Sequence, residues 1–367
     1  MYILLLVSFA YAEDLIPGQE DSVQVTRVRH ENGTVARTVI IPKVSDGWVS
    51  NNFVFVSDSS GTRPPTIDKP VRRRKKKKKP AETNSSQIID YKDPKLETEC
   101  GGRGQINGAI FKGGSQEGAC SFSIEKLPCA KQIRFDFINL ELDPPLDGTC
   151  MNERLLINGQ NRNSIVPVIC GTNTGQHVYA DVDEVPGPVM ITVISPIKKE
   201  FRIKVSQICD GHVLAAPKNC LQYFTEPAGM FESFNYAPPP STTTYLNNLN
   251  YAICIKKGLA SCSIVYNNVA EGGEEYVFEI NNLDIDGSLT VPPGQAGAEV
   301  FNCPDDYISV ASVRLCGQKL NDATSQLDFT QNFPVTDKSS GPFIVTFVTN
   351  GMTAGRGFRI RYSQEQC

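Results

Sequence analysis

The sequence predicts an all-β fold, with two tandem β-sandwich domains stabilised by disulfides and preceded by a largely disordered N-terminal region. Three observations support this prediction. All twelve cysteines of the 367-residue chain lie at or beyond Cys100. From that point short strand-like segments alternate with turns rich in Gly, Pro, Asn and Asp, and no long helical pattern appears. The third observation is an internal repeat of residues 100–209 in residues 210–367.

The N-terminus has the pattern of a secretory leader. Residues 3–9 are apolar, and Ala10-Tyr11-Ala12 follows with the spacing of a signal-peptidase site. We therefore expect residues 1–12 to be a signal peptide and the protein to be secreted and extracellular; a buried first β-strand is the alternative. The even number of cysteines agrees with secretion, because disulfides need an oxidising compartment. No later segment is long and apolar enough to predict a membrane span.

Residues 13–99 contain no cysteine and are mostly polar. Two short stretches, residues 35–41 and 53–56, favour β-strands. The rest cannot offset its conformational entropy by burial, so we expect this low-complexity region to be largely disordered. Both N-glycosylation sequons of the chain lie here, at Asn32 and Asn84, and predict a glycoprotein.

The net charge of −4 conceals a strong separation of charge. Eight consecutive residues supply a charge of +8: Arg72, Arg73, Arg74, Lys75, Lys76, Lys77, Lys78 and Lys79. The rest of the chain is acidic and would repel phosphate, so we expect no nucleic-acid partner. Three interpretations of the basic run stay open. It is a solvated block of charge in the linker, a site that binds a polyanion such as a heparan-type glycan, or a site of proteolytic processing.

The internal repeat fixes the domain organisation. Residues 187–195 align without gaps on 341–349, residues 200–207 on 357–364, and residues 135–142 on 278–285. The six cysteines of residues 100–209 then follow the same order as the six of residues 210–367. The repeat requires both domains to pair their cysteines in the same way, but it does not choose that pairing.

These segments resemble the CUB domain, a two-layer β-sandwich of extracellular proteins. The first copy carries Phe135-Asp-Phe and Cys170-Gly171, and the second carries Cys303-Pro-Asp-Asp306 and Cys316-Gly317. More narrowly, Cys170-Gly-x-Asn-x-Gly-Gln-His177-x-Tyr, Cys220-Leu-Gln-Tyr-Phe-Thr and Ser233-Phe-Asn-Tyr236 look like secreted arthropod-type CUB proteins of unassigned role.

The resemblance implies a disulfide pairing and a possible metal site. The implied pairs are Cys100–Cys120, Cys129–Cys209, Cys150–Cys170, Cys220–Cys254, Cys262–Cys367 and Cys303–Cys316.

Many members of the CUB family bind calcium through a Glu and two Asp on neighbouring loops. In the second copy Asp306 matches one Asp, Asn350 replaces the other, and no Glu follows Tyr236. In the first copy Glu153 and Pro196 stand at the Asp positions. Asp306 and Asn350 are therefore the calcium candidates, and no other cofactor is expected.

Candidates for catalysis are scarce, since the chain has only three histidines and no nucleophile or metal motif. The sequence therefore predicts a non-enzymatic extracellular protein that uses its tandem domains to bind proteins or glycans. The alternative is a regulatory or targeting accessory of an extracellular protease, released by cleavage at the basic run. Residues 210–367 carry a net charge of −7, which favours a basic or calcium-bridged partner for that half.

Overall fold

The computed structural model describes three N-terminal strands and most of the chain from residue 97 onward. The described residues are 23–29, 35–42, 55–56, 97–238, 242–269, 273, 275–352 and 354–367. The chain divides into two compact units, residues 1–85 and 86–367. Among the described residues the single helix, α1, spans only Glu299–Asn302, and none is long and apolar enough to cross a membrane. The predicted all-β fold class is confirmed.

The first unit contains one antiparallel sheet. Its strands are β1 (Val23–Arg29), β2 (Val35–Pro42) and β3 (Phe55–Val56), in that order. β2 and β3 overlap the two stretches that favour strands, whereas β1 is an addition to the prediction. The predictions for residues 1–12, for Asn32 and Asn84, and for the basic run 72–79 lie outside the described residues.

The second unit begins with a sandwich of two sheets. Its strands are β4 (Glu97–Thr98), β5 (Gly102–Gly104), β6 (Ala109–Lys112), β7 (Gly118–Ile124), β8 (Ala130–Asn139), β9 (Arg154–Asn158), β10 (His177–Asp181), β11 (Val189–Ser195) and β12 (Arg202–Cys209). One sheet has the order β10-β8-β12-β6-β4 and the other the order β5-β7-β11-β9. Side chains such as Phe111, Phe122, Phe135 and Ile191 fill the space between them.

Side-chain alternation explains how these strands form two layers. Ile203 and Val205 of β12 are buried in the core, whereas Arg202, the first residue of the strand, is exposed. In β8 the register with β12 passes from Phe137 to Asn139 and leaves Ile138 without a partner. This bulge lies where the sequence pattern changes phase, and it leaves Ile138 exposed on the outer face.

A second sandwich repeats this plan. Its strands are β13 (Cys220–Phe224), β14 (Ala228–Glu232), β15 (Asn250–Ile255), β16 (Ser261–Asn267), β17 (Phe278–Glu279), β18 (Ala296–Ala298), β19 (Tyr307–Val310), β20 (Val313–Gly317), β21 (Val335–Asp337), β22 (Phe343–Val348) and β23 (Gly357–Gln366). One sheet has the order β13-β15-β22-β19-β20-β18. The other has the order β14-β23-β16-β21, and β17 also pairs with β23.

Six disulfides connect the strands, and no described cysteine is free. The structure joins Cys100–Cys120, Cys129–Cys209, Cys150–Cys170, Cys220–Cys254, Cys262–Cys367 and Cys303–Cys316. These six pairs are the ones that the resemblance to the CUB domain implies. The Cys262–Cys367 bond closes the longest segment, with a sequence separation of 105, and ties β16 to the chain end beyond β23.

We expect the double variant Cys262→Ala/Cys367→Ala to lose about 4 kcal/mol of stability. Without this bond the unfolded chain regains the conformational freedom of a loop of about 100 residues. Denaturant unfolding measures the loss, and Ser363→Ala, at an exposed neighbouring position, should change stability by less than about 0.5 kcal/mol. Peptide mapping without reduction should recover the six pairs, and any other pairing would contradict this structure.

Candidate functional site

Asp306 is a fully buried carboxylate at the entry to β19. Its Oδ2 accepts a hydrogen bond from the Tyr245 hydroxyl at 2.6 Å, and its Oδ1 accepts one from the Asn350 backbone N–H at 2.6 Å. The Asp306 backbone N–H donates to Asn282 Oδ1 at 2.8 Å. One aspartate therefore holds three separate loops of the second sandwich together.

The environment of Asp306 makes its charge costly. Burial raises the pKa of the carboxyl group to about 6, although the hydrogen bonds from Tyr245 and Asn350 lower it. The neighbouring Asp305 raises the pKa further by charge repulsion. Asp306 is thus ionised near neutral pH but takes up a proton far more readily than an exposed aspartate.

The residues around Asp306 do not fit a calcium ion. Asn350 lies beside Asp306, as the sequence predicts, but it faces the carboxylate with its backbone N–H. The side-chain Oδ1 of Asn350 instead accepts a hydrogen bond from the Met352 N–H at 2.8 Å. Calcium takes about six to eight oxygen ligands. Among the residues that the structure describes, no group of three or more His, Cys, Asp or Glu side chains could hold a metal.

The first sandwich has a buried carboxylate at the corresponding place, three residues after Cys150. Glu153 is 1% exposed, and its Oε2 lies 2.8 Å from the Lys199 ammonium group. Oε2 also accepts the Asp143 backbone N–H at 2.8 Å, and Oε1 accepts the Ser195 hydroxyl. Burial alone would raise the pKa of Glu153, but these hydrogen bonds and the Lys199 charge hold it below its usual value. A lysine of the chain therefore supplies the positive charge at this position.

The CUB-like motif around His177 lies between the two sandwiches. His177 begins β10, an edge strand of the first sandwich, and its Nε2 lies 3.0 Å from the backbone N–H of Tyr223 in β13, an edge strand of the second. Burial, with a smaller effect from the charge of Arg134, lowers the pKa of His177 to about 3. The neutral ring accepts the Tyr223 hydrogen bond and joins the two edge strands.

Two asparagines extend this seam, which we define as the contact of residues 171–177 with residues 222–235. The Asn235 backbone N–H donates to Asn173 Oδ1 at 2.9 Å, and Asn235 Oδ1 accepts the Thr172 N–H at 3.1 Å. Gln176 Oε1 accepts a hydrogen bond from Gln222 at 3.2 Å. Both asparagines are 1% exposed. The residues of this motif therefore form hydrogen bonds between the two sandwiches, a role that their spacing in the sequence does not predict.

Sequence reasoning missed the groups that complete these sites. Tyr245, Asn282 and Lys199 are far in sequence from the carboxylates that they contact. No spacing rule connects them. The two histidines in the described part of the chain are also engaged with backbone, since His177 bonds to Tyr223 and His212 Nδ1 accepts the Leu214 N–H at 3.1 Å.

We expect Lys199→Met to destabilise the first sandwich by about 3 kcal/mol near neutral pH, because it leaves the buried Glu153 carboxylate without its cation. The same change at the neighbouring exposed Lys198 should cost less than about 0.5 kcal/mol. Denaturant unfolding measures both. In the Lys199 variant burial raises the pKa of Glu153, so its deficit relative to the native chain should grow as pH rises from about 4 to about 7. A deficit that does not depend on pH would contradict this assignment.

In the native chain the effect of Asp306 on stability should vary with pH in the direction opposite to that of Glu153, whose pKa is lowered. Its pKa is raised on folding from 3.8 to about 6, so the folded state binds its proton more tightly than the unfolded state does. The contribution of Asp306 is therefore greatest in acid and is lost as pH rises from about 4 to about 6. Unfolding free energies of the native chain and of Asp306→Asn, measured across this range, should differ in slope. Equal slopes would show that the pKa is not raised.

Comparisons with known proteins agree with the observed fold. The family model described as "Animal CUB domain" matches residues 217–365. Among solved structures, a CUB1-EGF-CUB2 domain of human MASP-1/3 is 15% identical, with 69% of this chain and 96% of that chain covered and a TM-score of 0.26. The CUB1-EGF-CUB2 domains of rat MASP-1 give 13% identity, 71% and 99% coverage and a TM-score of 0.24.

The full extracellular region of zebrafish Gpr126/Adgrg6 is 11% identical, with 74% of this chain and 37% of that chain covered and a TM-score of 0.25. These TM-scores are low, and no conclusion about function rests on them. No curated protein matches the chain in sequence. CUB domains are generally extracellular protein-interaction modules. Residues 217–365 of this chain therefore match the animal CUB domain, and the paired β-sheets of the described residues agree with that fold.

Proposed function

We propose that this protein is a secreted, non-enzymatic binding protein that uses two tandem CUB-like domains, residues 100–209 and 210–367, to bind extracellular proteins or glycans. The observation that carries the proposal is the seam, where Asn173, His177 and Asn235 join the sandwiches through buried hydrogen bonds. Two domains held in one arrangement lose less freedom when they bind a large partner.

The use of the described polar side chains supports binding rather than catalysis. The buried carboxylates Asp306 and Glu153 are engaged by Tyr245, Asn350 and Lys199. An acid or base in a catalytic site must be within reach of a substrate proton. Neither carboxylate is exposed, so the proposal assigns both a structural role.

The N-terminal region completes the proposal. Residues 1–12 act as the signal peptide, and Asn32 and Asn84 carry glycans. The basic run at residues 72–79 either binds a polyanion or is cleaved to release the CUB-like pair. Cleavage is the observation that would favour the second candidate function, an accessory that regulates or targets an extracellular protease.

Cross-linking in native secretions tests the proposed function. The full chain, carrying a photo-reactive group, is incubated with the extracellular fluid of its source, and a reduced and alkylated chain serves as the control. We expect a small, reproducible set of proteins or proteoglycans to be linked to the folded chain only. An active-site probe then shows whether a linked protein is a protease.

Two results would overturn the proposal. One is that the folded chain links nothing beyond the reduced control. The other is that the purified chain turns over a substrate from hydrolase and transferase panels, with the activity abolished by one point substitution. Intact mass of the secreted protein further tests signal removal, glycans at Asn32 and Asn84, and cleavage within residues 72–79.

A further inference from the structure

The second sandwich exposes apolar side chains on two adjacent loops. One is the hairpin of residues 282–290, and the other is the loop that contains the short helix α1. We call the two together the loop surface. Ile285 and Phe301 are 104% and 96% exposed, and Leu283, Leu289 and Val300 are also exposed. An exposed apolar cluster that contains an aromatic residue is typical of a protein-binding surface.

The loop surface is held in shape by hydrogen bonds. Within the hairpin, the Asp284 N–H donates to the Ser288 carbonyl at 2.8 Å and the Thr290 N–H donates to the Asn282 carbonyl at 3.0 Å. Thr290 Oγ1 donates to the Asn302 carbonyl at 2.6 Å and so connects the hairpin to α1. Because the loops are already ordered, a partner that contacts Ile285 and Phe301 would not have to order them.

The base of the loop surface is the Asp306 site. Asn282 Oδ1 accepts the backbone N–H groups of Asp305 and Asp306, at 3.0 and 2.8 Å, and Asn282 Nδ2 donates to the Asp306 carbonyl at 2.7 Å. The Cys303–Cys316 disulfide anchors the end of α1 to β20. The exposed apolar side chains thus stand on a rigid base.

Four carboxylates surround these apolar side chains. Asp284, Asp286, Glu299 and Asp305 are all exposed. In the part of the chain that the structure describes, none of them forms an ion pair with a lysine or arginine. The loop surface is therefore apolar at its tips and negatively charged around them.

The loop surface belongs to the second domain alone. Cys262 and Cys303 are about twice as far apart in sequence as their counterparts Cys129 and Cys150. The Leu142 N–H donates to the Gly171 carbonyl and the Ile280 N–H donates to the Gly317 carbonyl, so Ile280 occupies the place of Leu142 and the predicted alignment of 278–285 on 135–142 is out of register. The hairpin and α1, which follow Ile280, therefore lie in the additional chain. The first sandwich has only a short turn in this place, closed by the Leu146–Thr149 bridge.

We propose that the loop surface binds a cationic segment of a protein partner, one that carries lysine or arginine side chains beside a large apolar side chain. This inference rests on the proposed binding function. Charge indicates the kind of partner, since four carboxylates that form no ion pair among the described residues attract a cation and repel both an anionic membrane and the same surface of a second copy. The apolar residues Phe301 and Ile285 are the anchors of the contact.

The test uses the full chain and a synthetic amphipathic peptide of lysine and leucine as the probe. We expect the double variant Ile285→Ser/Phe301→Ser, and separately Asp284→Asn/Glu299→Gln, to raise the Kd for this peptide about tenfold or more. Added salt should weaken binding by the native chain. Control variants at exposed positions far from these loops, Leu259→Ser and Glu226→Gln, should change the Kd less than about twofold.

Each alternative occupant has its own result. Equal binding of a glutamate–leucine peptide, binding to phosphatidylserine vesicles, or dimerisation in sedimentation that the Ile285→Ser/Phe301→Ser change abolishes would each overturn the proposal. Unchanged peptide binding in both double variants would also overturn it. Cross-linking that captures a partner equally well with these variants rejects the loop surface but keeps the binding function. Capture of nothing rejects the binding function itself.

Discussion

The constraint on which the two sandwiches depend is that the backbone N–H groups buried at their contact need hydrogen-bond acceptors. At the seam the backbone N–H groups of the buried residues Tyr223 and Asn235 donate to side chains across the contact, His177 and Asn173. Opening the seam without water entry would leave each of them unpaired, at a cost of about 1–3 kcal/mol per group. Neutral His177 meets the same requirement, because an imidazolium ring has no acceptor for the Tyr223 N–H.

The buried carboxylates obey the same rule inside each sandwich. The repeat places an acidic residue three positions after Cys150 and after Cys303, at Glu153 and at Asp306. In the first sandwich Lys199 balances the charge, and the pKa of Glu153 falls. In the second sandwich no described lysine or arginine pairs with the carboxylate, and burial raises the pKa of Asp306 although Tyr245 and Asn350 donate hydrogen bonds to it. The same position of the repeat therefore holds two carboxylates whose pKa values are shifted in opposite directions.

Much of the fold was predictable because side-chain alternation and the repeat are local properties of the sequence. Phe201, Ile203 and Val205 alternate with Arg202 and Lys204, which is the pattern of a strand with one buried face. The alternation that begins at Ile133 changes phase at Ile138, where the structure has the bulge. The partners of Glu153 and Asp306 were not predictable, since Lys199 and Tyr245 reach them through the tertiary fold. The hairpin near Ile285 was not predictable, because Leu283-Asp-Ile285-Asp alternates like a strand with a buried face although its apolar side chains face solvent.

Because Lys199 pairs with Glu153, the charge of this buried carboxylate is balanced without an ion from solution. A cation that is covalently part of the chain has a fixed and high effective concentration at its carboxylate, since it cannot diffuse away. Chelators, dilution and changes in divalent ion level therefore have no free species to remove at Glu153. The charge balance at this buried position therefore depends on the chain's own Lys199.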